Sequence, residues 1–216
     1  MIRVRKSEEP GQLAQEGYAC DAVKRVLIAD TDEKCYICER KRDTDFEVEH
    51  LKSRKKNPDL ENNWQNLYAA CGYCNKKKGC YHDNMLHPDL CDVEEVIEHK
   101  VNLVKEIAEF YSEDKSEGVK SAVKLLIKVF NGARRHNKPR PVIEQRFWDY
   151  FKKEYNDFLT VVDDYLSGNE AAEDDIRELL DIQEEFLAFK YSVINNNPTL
   201  LQVFQNDIVW NKGIDG

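Results

Sequence analysis

Cys35-Tyr-Ile-Cys38 and Cys71-Gly-Tyr-Cys74-Asn75 bracket Phe46-Glu-Val-Glu49-His50, and these stretches decide how the front of the chain folds. Two CxxC pairs supply four soft thiolate donors, the set that closes one tetrahedral zinc site. With Cys35, Cys38, Cys71 and Cys74 on one ion, no coordination position stays open, so this zinc is expected to be structural. It would staple a segment too small to bury much apolar surface unaided. Cys20, Cys80 and Cys91 lie near no nucleophile motif and read as small neutral residues.

Working outward, Phe46-Glu47-Val48-Glu49 alternates apolar and acidic residues and predicts a short strand that delivers His50 at its end. Leu67-Tyr68-Ala69-Ala70 predicts a second strand, and Gly72 to about Lys78 a short helix stopped at Gly79. Between them, residues 51–63 are polar and basic, with a turn signal at Asn57-Pro58-Asp59. Ahead of the first knuckle, Leu13, Tyr18, Ala22, Val26 and Leu27 predict one helix over residues 11–31.

Beyond a loop near 79–91 the pattern changes to long amphipathic helices. Asp92 and Glu95 resemble a capping box for a helix on Val93, Val96, Ile97, Val101, Val104 and Ile107. A second spans Ser121 to Val129 and ends at Gly132. Pro141 opens a third through Phe147, Trp148, Phe151, Phe158, Val162 and Tyr165, stopped at Gly168. Residues 171–194 and 198–210 supply two more. The expected class is α+β, mostly α, with two domains. Residues 1–90 would hold the N-terminal helix and the zinc-stapled core, and 91–216 an acidic helical domain.

Composition bounds the partners. Of 216 residues, 41% are hydrophobic and 34% charged, which suits a soluble, charge-rich chain. No apolar stretch nears the roughly 18 residues of a spanning helix, and Met1 to Pro10 lacks an apolar signal core. A cytoplasmic location without membrane contact is expected. Residues 1–90 carry 16 Lys+Arg against 16 Asp+Glu; residues 91–216 carry 16 against 25, the whole of the formal net charge of −9. Nucleic-acid contact is therefore plausible at the front, and a protein interface at the acidic rear.

Glu49, His50 and Asn75 are candidate ligands of a catalytic divalent metal, and the Glu49 carboxylate and Asn75 side-chain carbonyl are hard oxygen donors suited to Mg²⁺ or Mn²⁺. A neutral His50 can accept a proton from water near physiological pH. Lys52, Arg54, Lys55 and Lys56 on one side, and Lys76, Lys77 and Lys78 on the other, are candidate phosphate contacts. His82 and His87 follow as loop histidines or extra metal or phosphate contacts. The cluster Arg134-Arg135-His136-Asn137-Lys138-Pro139-Arg140 fits either a nucleic-acid track or an acidic partner.

Glu49-His50, Asn66 and Cys74-Asn75 with Lys76, Lys78 and Gly79 resemble the HNH endonuclease pattern over residues 35–79. The resemblance implies a ββα-metal fold and metal-dependent hydrolysis of phosphodiester bonds. In that pattern His50 would be the general base, Glu49 and Asn75 cation ligands, and Asn66 a catalytic-loop brace rather than a ligand. Two departures stand out: Glu49 replaces the frequent aspartate, and the usual proline three residues after the histidine is absent. The start of the chain and the tail around Phe186-Leu187-Ala188-Phe189 further resemble the HNH subunits of Septu-type anti-phage systems, PtuB-like proteins, some encoded beside retrons. That resemblance implies a hetero-oligomer with an ABC-type, PtuA-like ATPase and a DNA or tRNA substrate. A non-catalytic zinc-ribbon module and a solitary restriction-type HNH nuclease remain as alternatives.

Overall fold

The computed structural model describes residues 1–41 and 44–210. The architecture is α+β and mostly α, with two separate antiparallel hairpins. Helices α1 (Gln12–Glu16) and α2 (Asp21–Ala29) precede the first knuckle. The expected single helix over 11–31 is thus broken. Gly17 takes φ +80, a left-handed conformation open to glycine, and the Asn62 Oδ1 accepts from the Tyr18 amide at 2.9 Å. The break turns the Tyr18 ring toward His50.

Strands β1 (Phe46–His50) and β2 (Leu67–Cys71) pair with Phe46 opposite Cys71 and His50 opposite Leu67. Because side chains alternate along a strand, Glu47 and Glu49 share one face while Phe46, Val48 and His50 share the other. The second face meets α2, whose Val23 and Leu27 pack with Leu67, Trp64, Phe46 and Val48. The first meets α3 (Gly72–Lys78), which follows β2 without a linker. Gly72 lets the chain pass close to two acids: a Cβ would lie 2.9 Å from Glu47 Oε1 and 3.0 Å from Asp45 Oδ1, and both carboxylates would have to shift.

The helix expected from residue 92 onward is corrected. Only one turn forms, α4 (Val93–Val96), and the chain then makes a hairpin of β3 (Glu98–Asn102) and β4 (Ile107–Tyr111). Period-two burial overrides the helical spacing of the apolar residues. His99 lies edge-on to Phe110 and to Phe189, 5.1 and 5.2 Å between ring centres. Asn131 clamps β4 by accepting from the Ala108 amide (2.7 Å) and donating to its carbonyl (2.8 Å).

Helix α5 (Glu117–Asn131) starts at a Ser116 cap and ends at Gly132, and α6 (Val142–Leu166) follows Pro141. The helix expected over 171–194 is split into α7 (Ala172–Leu179) and α8 (Leu187–Asn195). The intervening turn docks on the first knuckle. Lys34 Nζ donates to the carbonyls of Ile182 (2.5 Å) and Glu184 (3.2 Å), and Glu39 Oε2 accepts from the Ala188 amide (2.9 Å). Helix α9 (Pro198–Phe204) is shorter than expected, because residues 205–207 tighten into a 3₁₀ turn.

One apolar cluster runs from Cys35, Tyr36 and Cys74 through Phe130 to Phe147, Phe151, Phe186 and Phe189. Residues on both sides of position 90 contribute to it. Tyr73 on α3 stacks on Phe147 of α6 at 4.8 Å and donates its hydroxyl to the Val129 carbonyl at 2.8 Å. The helical rear therefore braces the short helix that carries Cys74 and Asn75. Among the described residues no helix is long and apolar enough to cross a membrane.

Candidate functional site

The four knuckle cysteines are buried and their sulfurs all lie within 4.8 Å of one another. The first knuckle is a tight turn closed by the Glu39 amide on the Cys35 carbonyl at 2.8 Å. The second spans the junction of β2 and α3. Hydrogen bonds from Cys35, Cys38 and Cys74 hold the Cys71 thiol far below its ordinary range, whereas burial pushes Cys38 and Cys74 up. A dry cluster that stabilises the Cys71 thiolate and penalises those of Cys38 and Cys74 is relieved by a soft divalent ion. The donor set fits structural Zn²⁺.

On the α3 face of β1, Glu49 is only 3% exposed. Its Oε1 pairs with Lys78 Nζ at 2.7 Å and its Oε2 accepts from the Tyr36 hydroxyl at 2.7 Å. Burial pushes this carboxyl up, and the Lys78 ammonium opposes that shift. Lys78 also donates to the His50 carbonyl at 2.9 Å and is fully buried. The expectation that Lys78 meets phosphate at the surface is corrected: it is an internal cation under the strand end. Nothing in a lysine run signals this, but the helical step from Asn75 to Lys78 turns Lys78 inward, toward β1.

Removing one partner of a buried ion pair leaves the other charge uncompensated. Lys78→Met is therefore expected to cost about 3–5 kcal/mol of stability in denaturant unfolding. Unchanged stability would mean that the pair does not hold the strand end.

His50 lies on the opposite side of β1, edge-on to Tyr18 with ring centres 4.7 Å apart. Its Nε2 is 2.9 Å from the Glu61 carbonyl. A carbonyl only accepts, so Nε2 carries the proton and Nδ1 keeps its lone pair. Burial holds the imidazole below its ordinary pKa, which favours the neutral form at pH 7. Asn66 fixes the loop that supplies this contact. Its Oδ1 accepts from the Lys52 amide at 2.7 Å, and its Nδ2 donates to the carbonyls of Lys52 (3.0 Å) and Leu60 (3.2 Å). Asp83, unnoticed in the sequence, ties the same loop by accepting from the Ser53 amide (3.2 Å) and hydroxyl (2.8 Å).

Glu49, His50 and Asn75 line one open cleft with Val48, Ser53, Arg54, Lys55, Gly79 and Cys80. Asn75 Nδ2 donates to Glu47 Oε2 at 2.5 Å. The Asn75 oxygen, and the lone pairs that Glu49 keeps beyond its two bonds, are hard donors of the kind that suits Mg²⁺ or Mn²⁺. Glu47 was not singled out in the sequence, though strand alternation puts it beside Glu49.

The basic residues divide. Lys55 and Lys76 are exposed, and Lys55 lines the cleft. Arg54 pairs with Glu61 at 3.0 Å and covers the Tyr18 ring. Lys52 and Lys56 line an adjoining cleft, and Lys56 donates to the Cys80 carbonyl at 2.5 Å. Lys77 is tied to Glu144. His82 Nδ1 donates to the Ser121 carbonyl at 3.1 Å, and His87 faces Asp89 at 3.9 Å. In the 134–140 cluster, Arg134 and Arg140 donate to the carbonyls of Lys105 and Glu106 at the β3–β4 turn.

A strand pair and helix with acid-His at the strand end and Asn on the helix define the HNH class. Residues 35–80 match the family model for HNH endonucleases, and this segment is an HNH domain. The chain resembles the Septu protein PtuB of Bacillus thuringiensis, being 38% identical over 69 residues. That match covers 31% of this chain and 26% of the relative, so it spans about a quarter of the relative's length.

Proposed function

We propose that this chain is a metal-dependent endonuclease that hydrolyses phosphodiester bonds. Its setting would be an anti-phage defence complex with an ABC-type, PtuA-like ATPase in the cytoplasm. The observation that carries the reading is the His50 imidazole, pinned through Nε2 with Nδ1 left to accept a proton, in one cleft with Glu49 and Asn75. Nδ1 takes the proton of a water molecule as its oxygen attacks phosphorus and the phosphodiester P–O bond opens. Glu49 and Asn75 would hold Mg²⁺ or Mn²⁺, which supplies charge neutralisation at the phosphate and the leaving oxygen. Lys55, Arg54 and Lys76 attract the backbone on either side, while Asn66 and Asp83 keep the Glu61 carbonyl, and thus the imidazole, in place. The match to PtuB and the acidic rear support the ATPase partnership.

Plasmid DNA and total tRNA are each offered with Mg²⁺ or Mn²⁺ to the chain alone and to the chain with a PtuA-like ATPase. Cleavage of one substrate is expected. If neither preparation cuts either substrate, a non-catalytic zinc module replaces the enzyme. For active protein, the rate falls as pH drops and His50 protonates. Burial lowers that pKa, so the acid midpoint is expected below the ordinary value of about 6.5. A midpoint above it would remove His50 as the base.

A further inference from the structure

A second cleft adjoins the one lined by Glu49, His50 and Asn75, on the far side of Cys80, whose carbonyl accepts from Lys56. The same 52–57 loop and the following residue, Tyr81, line this second cleft, whose far wall is α5. Lysines recur on α5 at 120, 124 and 128, four residues apart and therefore on one face of the helix. Lys124 is exposed, and Lys128 lies 5.9 Å from the centre of the Tyr81 ring. Tyr81 is 82% exposed, the second most exposed large hydrophobic side chain among the described residues.

Basic side chains outnumber acidic ones here, with Lys52, Lys56 and Lys124 lining the cleft against Asp83 and Glu117. Burial, then Arg135 and Lys77, hold Lys128 below its ordinary range. Burial also lowers His82, and Lys128, Lys78 and Lys124 lower it further. Two acids face the cleft: Asp83 is engaged by Ser53 and Asn57, and Glu117 by Lys120. Lys124, Lys128 and Arg135 thus form an anion-attracting strip on a chain whose net charge is −9.

We propose that this strip binds an unpaired nucleic-acid strand leaving the first cleft, with phosphates on Lys56, Lys124 and Lys128 and one base stacked on Tyr81. The proposal rests on the nuclease reading for the identity of the ligand. An aromatic ring standing among lysines suits a strand whose base faces are free, because a duplex hides those faces. An acidic protein segment would use the lysines but gain little from the ring.

The test uses full-length His50→Ala protein, silenced for cutting, and fluorescence anisotropy with a labelled single-stranded oligonucleotide and its duplex. Tyr81→Ala is expected to weaken single-strand binding about tenfold, Tyr81→Phe to restore it, and duplex binding to change little. Lys124→Glu should weaken binding and flatten the salt dependence of log K by roughly 0.7. Both side chains are exposed, and matching thermal melts check that the fold is kept. Unchanged binding in both variants overturns the proposal. So does a loss in Tyr81→Ala that is equal for duplex and single strand, or binding lost only in Lys124→Glu and displaced by polyglutamate, which assigns the strip to an acidic protein. Cleavage by the parent protein is scored separately: absent cutting with Tyr81-dependent binding sinks the nuclease reading alone.

Discussion

Cys74→Ser protein is expected to lose its zinc and the ordered structure of β1, β2 and α3 together. Cys74 is fully buried, and its sulfur shares one pocket with those of Cys35, Cys38 and Cys71. Metal binding at such a site is folding free energy, on the order of 10 kcal/mol for structural zinc. That exceeds what a segment of this size gains from its own apolar burial. The damage should spread to the rear of the chain, because Tyr73 stacks on Phe147 and the thiols belong to the cluster that includes Phe130 and Phe189. A strong chelator should reproduce the effect in unmodified protein. Metal analysis of fresh protein should give one zinc per chain. Protein that purifies without zinc, or a Cys74→Ser variant that melts like its parent, would refute the staple.

His50→Ala should behave in the opposite way, with chemistry lost and fold kept. Removing a general base costs roughly 10²- to 10⁴-fold in rate. Among the described residues the imidazole is held by a hydrogen bond to the Glu61 carbonyl and an edge contact to Tyr18. The strand end beneath it is held independently by the Lys78 bond to the backbone carbonyl of residue 50. Thermal melting and zinc content should therefore match the parent while single-turnover cleavage collapses. Cleavage at the parental rate would exclude the mechanism.

From the first knuckle to Gly79 the fold was legible in the sequence because each element there has a chemical marker, whereas the break at Gly17 in the helix expected over 11–31 was not. The CxxC pairs mark the knuckles, the Phe46 to Glu49 alternation marks β1, and Gly79 marks the end of α3. The rear was legible where helices are long and bounded, as at Gly132 and Pro141, although the helix expected from Ser121 starts earlier, at a Ser116 cap. It failed where tertiary contacts override apolar spacing. Val93, Val96, Ile97, Val101 and Val104 mimic a helix, yet buried His99 and Ala108, which do not stand out as apolar markers, fix a hairpin. The β3–β4 turn bends at Glu106 with φ +53, and α8 starts at Phe186 with φ +56; neither residue type announces a left-handed backbone. The site was legible in its residue types but not in their engagement. Glu49 could be named as an acid, but its hold by Tyr36 and Lys78 depends on which way a short helix points.

That helix sets a strict phase. Cys74 points to the thiol cluster, Asn75 lines the cleft and Lys78 reaches beneath the strand end. Each added residue rotates everything beyond it by about 100° and advances it by about 1.5 Å. A single insertion or deletion between Cys74 and Lys78 would misdirect at least one of three side chains. The fold of the segment tolerates point changes at an exposed position such as Lys76, but no change of length. Loop 51–63 is no freer in length, because Lys52, Ser53, Leu60 and Glu61 are each tied to a fixed partner.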